Sequence, residues 1–160
     1  MIKRVPYLLL AVLMVACSSI DCPVDSTVTT LYNILDADGH QLALSDTMTV
    51  TTVRQDGDTV IVLNKLIGSK EFNLPISYSH PEDVMVFTIY NDSVSTVDTV
   101  WIKKDDYPHF ESVDCNAAFF HTLTGVRYTT HYIDSIVIKN TSVNYDVSTV
   151  HFHLYPKVSN

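Results

Sequence analysis

Residues 149–155 read TVHFHLY. Val150, Phe152 and Leu154 are apolar, and His151, His153 and Tyr155 alternate with them. Successive side chains of a strand point to opposite faces, so this period of two separates an apolar face from a wetter one. Residues 47–54, TMTVTTVR, repeat the pattern, with Met48 and Val50 set between Thr47, Thr49 and Thr51. Strands of this kind lay one face on a core and turn the other to water, as antiparallel sheets do. Val, Ile, Thr, Tyr and Phe dominate from Val28 onward, a β-type composition.

Working outward, the pattern predicts strands at Val28–Leu35, Gln41–Leu44, Thr47–Arg54, Thr59–Asn64, Lys70–Pro75, Val84–Tyr90 and Val97–Lys103. It predicts four more at Ala118–Leu123, Val126–His131, Ser135–Lys139 and Thr149–Tyr155. Asp38-Gly39 and Asp56-Gly57 are hairpin signals, because both residue types tolerate positive φ; Asn91-Asp92 and Asn140-Thr141 are weaker ones. Short helical turns are expected at Ser79–Asp83 and near Asn116–Phe120. Many short strands at regular spacing give an all-β fold, an antiparallel β-sandwich of immunoglobulin-like or transthyretin-like type.

The chain has 160 residues, 46% hydrophobic and 18% charged, which suits a single globular domain. Its four glycines are Gly39, Gly57, Gly68 and Gly125, with no two inside ten residues of each other. A phosphate cradle needs closely spaced glycines, so the P-loop and the dinucleotide fingerprint are excluded, and with them a nucleotide ligand. The Gly-x-Ser-x-Gly elbow of hydrolases is excluded likewise. Acidic residues number 18 against 10 basic ones, a balance that argues against nucleic acid.

The opening residues, MIKRVPYLLLAVLMVAC, carry Lys3 and Arg4 and then an apolar run from Val5 to Ala16. Twelve residues fall short of the ~20 that cross a bilayer and suit the h-region of a signal peptide. Leu13-Met14-Val15-Ala16-Cys17 resembles a bacterial lipobox, in which the cysteine takes a diacylglyceryl group and becomes the first mature residue. That resemblance divides the chain into a lipoprotein signal peptide at 1–16, a lipidated cysteine with a short tether at 17–26, and one sandwich domain at 27–160. A diacylglyceryl lipid on Cys17 is then expected, and no cofactor is. Losing Lys3 and Arg4 takes the 10 basic residues to 8 against 18 acidic ones, a formal charge of −10. No polybasic patch remains, so the lipid alone must hold the protein to a membrane. Ser18 and Ser19 follow Cys17 with no acidic run, which favours the outer membrane with the domain facing the periplasm.

Cys22 and Cys115 are left, an even number in an oxidising compartment, and are expected to form one disulfide. His151 and His153 have a metal-ligand spacing on a strand, but a third ligand from His109, His121 or His131 would have to come through the fold; an exposed polar face is the plainer reading. Asp36-Ala37-Asp38-Gly39 opens like a calcium loop but lacks its later ligands, and reads as a turn. Asp105-Asp106 beside Tyr107-Pro108 reads as an exposed loop. Trp101 is core in one strand register and an exposed contact in the other; core is the expectation. No catalytic motif is present, so a non-enzyme is expected.

Six segments together carry a family resemblance: CSSIDCP at Cys17–Pro23, LPISY at Leu74–Tyr78, DTVWI at Asp98–Ile102, PHFESVDC at Pro108–Cys115, IDSIVI at Ile133–Ile138 and HFHLY at His151–Tyr155. The chain resembles a family of small uncharacterised lipoproteins of Bacteroidota. The resemblance implies lipoprotein status and a β-rich fold, and carries over no catalytic residues. The Asp-Ser/Thr tripeptides also resemble the periplasmic O-glycosylation signal of these bacteria, at Ser26, Thr47, Thr59, Ser93, Thr99 and Ser135. The plainer account of several is that Asp ends a turn and a β-branched residue starts a strand. The functional expectation is an outer-membrane lipoprotein that binds an envelope protein partner, or alternatively a small ligand such as a glycan or metal, with an envelope hydrolase the remotest option.

Overall fold

The computed structural model describes residues 22, 28–54, 56–91 and 94–157. Ten strands form two sheets: β1 (Thr29–Ile34), β2 (Thr47–Val53), β3 (Thr59–Leu66), β4 (Glu71–Pro75), β5 (Glu82–Asn91), β6 (Val94–His109), β7 (Ala118–Tyr128), β8 (Ile133–Ile138), β9 (Ser142–Val143) and β10 (Val150–Pro156). One sheet has the order β4-β1-β10-β8 and the other β3-β2-β5-β6-β7-β9. The all-β sandwich is as expected, and no helix occurs among the described residues. The six-stranded sheet is antiparallel throughout. The four-stranded sheet departs from the expectation once, because β1 and β10 run parallel.

The alternating residues supply the core. Tyr32, Phe72, Leu74, Phe152 and Leu154 come from the smaller sheet and meet Met48, Val50, Met85, Phe87 and Val100 from the larger. Tyr32 is stacked between Phe72 and Phe152, with centroids 4.8 and 4.6 Å away, and Phe87 meets it edge-on at 6.5 Å. Each such ring buries ~150–250 Å² and makes this stack the centre of the sandwich.

β6 organises the rest. Its buried face reads Asp98, Val100, Ile102, Lys104, apolar in the middle and charged towards both ends. Each charged end lies under a connection that crosses the sandwich. Asp98 holds the β7–β8 connection, accepting the N–H groups of His131, Tyr132 and Ile133 at 2.7–2.8 Å and the Thr129 hydroxyl at 2.7 Å. Lys104 holds the β4–β5 connection, as described below.

Several local expectations are corrected. Gln41–Leu44 is not a strand: Gln41 makes one bridge to Leu35, and the backbone of Leu44 pairs with Gly68 and Ser69. The helical turns at 79–83 and 116–120 do not form; Glu82 and Ala118 already begin strands. The two strands predicted at 118–123 and 126–131 are one, β7, kept continuous by a bulge where Lys103 pairs with Gly125 and Lys104 with Leu123. Thr124 is the extra residue, and such an insertion turns the strand without ending it. Asp105-Asp106 is not a loop either, because β6 runs on to His109.

Candidate functional site

The β4–β5 connection crosses the ends of β5, β6 and β7 as a strap. A groove of about 980 Å³ lies along it, lined among others by Thr52, Ile76, Tyr78, Asp83, Phe119 and His121. Val28, at the start of β1, and Ala117, at the start of β7, border it as well.

Beside it lies a polar cluster: Asp83 and His121 line the groove, whereas Lys104 and Asp106 border a second, smaller recess together with residues 78–81 of the strap. Strand alternation continues inward past Ile102 to Lys104 and then to Asp106, which sits directly opposite His121 on β7. The Lys104 ammonium is fully buried; it donates to both Asp106 carboxylate oxygens at 2.8 and 3.0 Å and to the His80 carbonyl of the strap at 2.7 Å. The His121 Nδ1 lies 2.6 Å from the same carboxylate. Asp83 accepts the Ser77 N–H at 2.8 Å and the Ser77 hydroxyl at 2.9 Å, pinning the strap to β5. A charge so deep is tolerated only when it is paired or hydrogen-bonded: Lys104 is paired with Asp106, and Asp83 is held by the two Ser77 donors.

Burial pushes the His121 pKa down, outweighing the upward pull of Asp106, and nearby Lys104 adds to the lowering. The ring is therefore neutral near pH 7, with the Nδ1 proton held on Asp106. Nε2 has no hydrogen-bond partner among the described residues and is left as an acceptor towards the groove. The wall is aromatic: Tyr78 stacks on Phe119 with centroids 4.3 Å apart, yet stays 64% exposed. The arrangement offers an apolar platform beside a fixed array of hydrogen-bond acceptors, the usual make-up of a ligand site.

None of these residues was singled out for chemistry from the sequence except His121, and then only as a third metal ligand. The signal was present in the alternation of Val100, Ile102, Lys104 and Asp106, which points two charges inward.

The expected site residues are placed as follows. Cys22 and Cys115 are bonded, with Cα atoms 5.5 Å apart and a sequence separation of 93. Cys17, Ser26 and Ser93 lie outside the described residues. Thr47, Thr59, Thr99 and Ser135 all lie in strands, spread over both sheets, and Thr59 is the exposed one. Asp98, which precedes Thr99, is wholly engaged by the β7–β8 connection.

His151 is buried, and both its ring nitrogens are occupied: Nδ1 accepts the Leu31 N–H at 3.1 Å and Nε2 donates to the Ser142 carbonyl at 3.1 Å. A metal would have to displace one of these bonds, so the pair with His153 is not a ready chelate. The other histidines lie elsewhere, His121 on Asp106, His131 on Asp98 and His109 stacked on Phe120 at 4.3 Å. The stretch 36–39 is a turn, as expected: Gly39 has φ 82° and Asp36 Oδ1 accepts the N–H groups of Asp38 and His40. Trp101 is not core. It lies half-buried on the outer face, opposite Val100 and Ile102, with the Arg127 guanidinium 4.5 Å over its ring.

Residues 47–156 match the family of unknown function DUF6452. The chain belongs to that family. The DUF6452 match runs from the first residue of β2 to the last of β10, and so takes in the strap, the cluster and Cys115, but not β1 or Cys22. No curated protein and no solved structure matches the chain.

Proposed function

We propose that this DUF6452 protein is a non-catalytic binding module of the cell envelope, held to the outer membrane through lipidated Cys17 and facing the periplasm. The lipobox-like stretch before Cys17 and the oxidised Cys22–Cys115 pair support the location. The groove carries the functional reading, since it joins the exposed Tyr78 platform to preformed acceptors. Beside the groove Lys104 and Asp106 satisfy one another, and Lys104 and Asp83 hold the strap, an arrangement that rigidifies the surface. The occupant is a segment of another envelope protein, whose backbone and hydroxyl donors suit the acceptors. The same groove also suits a hydroxyl-rich small ligand, because Nε2 of His121 and the carboxylates of Glu82 and Asp83 border it. O-glycans at the Asp-Ser/Thr sites are part of the proposal, with Thr59 the most accessible of those described.

The test is a crosslinked pull-down of the lipidated protein from its native host, beside a Tyr78→Ala variant. One stoichiometric envelope protein captured by the wild type and lost in the variant supports the module. Partners unchanged by the variant reject the groove as the interface. A clean bait carrying a bound small molecule in native mass spectrometry favours the small-ligand reading.

A further inference from the structure

We propose that the β6–β7 connection, residues 110–117, is a membrane-contacting tip, with Phe110 and Val113 seated in the headgroup region of the bilayer that holds the protein. The inference rests on the lipid-anchored reading of Cys17 and adds an orientation to it. Val113 is 97% exposed and Phe110 61% exposed. Exposed apolar residues are ordinary when scattered, but these two lie just before Cys115, where the disulfide cross-links the fold to the start of its tether. Val113 is two residues from Cys115, and Cys115 is bonded to Cys22.

Chain reach then fixes the neighbourhood. Cys17 precedes Cys22 by five residues, and a chain spans at most ~3.3–3.6 Å per residue, so the lipidated residue lies within about 18 Å of Cys22. Val113 lies within about 7 Å of Cys115 by the same measure. The disulfide thus brings the tip within reach of the anchor. Behind the tip stands an aromatic cluster: His109 stacks on Phe120, and Tyr145 meets Phe120 edge-on at 4.9 Å. Rings with an apolar body and a polar edge suit the membrane interface. Glu111 and Asp114 in the same connection limit the depth and favour zwitterionic lipid over anionic lipid. The opposite pole is set by β6, whose other end, Val94, is 15 residues from His109, or about 50 Å of strand. Ala117, the last residue of the tip, and Phe119 just past it line the groove, which therefore opens on the membrane side of the molecule.

The experiment uses the full lipidated chain in vesicles of phosphatidylethanolamine with a minority of phosphatidylglycerol, a fraction of whose acyl chains is brominated. Val113→Trp and Val94→Trp are compared, both at exposed sites, with Trp101 of the unsubstituted chain as the baseline. The expected result is bromine quenching above baseline for the Val113 variant and none for the Val94 variant, in keeping with a residue ~5–10 Å into the interface. Quenching at baseline for both, while the protein still floats with the vesicles, overturns the tip and leaves the anchor standing. Failure to float, with no lipid in the mass of the Cys17 peptide, overturns the anchor and the tip with it.

Discussion

The Asp98 carboxylate accepts the backbone N–H of Ile133 at 2.8 Å across 35 residues of sequence. It takes the N–H groups of His131 and Tyr132 and the Thr129 hydroxyl as well, so one fully buried side chain closes a whole connection. Removing it strands three N–H groups. Asp98→Ala is expected to lower the unfolding free energy by about 3–4 kcal/mol, since a buried group deprived of its partner loses the full desolvation cost. Asp58→Ala, at an exposed tripeptide of the same kind, is expected within about 0.5 kcal/mol of wild type. Urea denaturation of both measures the contrast.

Acid is expected to destabilise the fold in two stages. Burial holds His121 and His151 below their ordinary value of 6.5. The unfolded chain then takes up protons near pH 6.5 that the folded chain refuses, so stability is complete above that pH and declines as pH falls through the folded values. Asp98 gives the second stage. Burial pushes its pKa up, but the backbone donors of His131 and Ile133, the Thr129 hydroxyl and the Tyr132 N–H outweigh this and hold it at about 2 against an ordinary 3.8. Its contribution, about 2 kcal/mol, is present above pH 3.8 and lost as pH falls towards 2. Melting temperature against pH should be flat above 7 and fall on the acid side, and a rise on acidification would contradict the assignments.

The Tyr32 hydroxyl is buried in the core stack with no hydrogen-bond partner among the described residues. Tyr32→Phe keeps the stack and removes the unpaired oxygen. It is expected to raise the unfolding free energy by about 0.5–1 kcal/mol, opposite in sign to most core substitutions.

Lys104→Met leaves the Asp106 carboxylate and the His80 carbonyl without their donor. The expected loss is about 1–3 kcal/mol, because Asp106 keeps access to water and the cost falls on the unpaired His80 carbonyl and the lost charge-assisted bonds. Hydrogen exchange should rise in the strap, residues 76–81, before it rises in β5.

How much of this could be read from the sequence follows from the physics of each element. Strands β2 and β10 were legible because Met48, Val50, Phe152 and Leu154 alternate without interruption. The Cys22–Cys115 disulfide was legible from cysteine number and from the oxidising setting that the lipobox-like stretch implies. The site was not. Its residues belong to three strands and a strap, and only the bulge at Thr124 sets the register that leads to Asp106 facing His121. Asp105-Asp106-Tyr107-Pro108 looks like a loop by composition, yet its pairing to residues 119–122 of β7 keeps it in the sheet. Pro81 suggested a helical turn, but the strap is held by tertiary bonds from Lys104 and Asp83 that local propensity does not contain. The parallel pairing of β1 with β10 is a property of topology and leaves no mark in either segment.

If the groove is the binding surface, a photo-crosslinker placed at Tyr78 traps its occupant. Tyr90 is the control, since it is 51% exposed and lies at the other end of β5. In native cells, a photoreactive residue at position 78 is expected to give one discrete adduct, and position 90 none. Adducts of equal yield at both positions, or at 90 alone, would contradict the account.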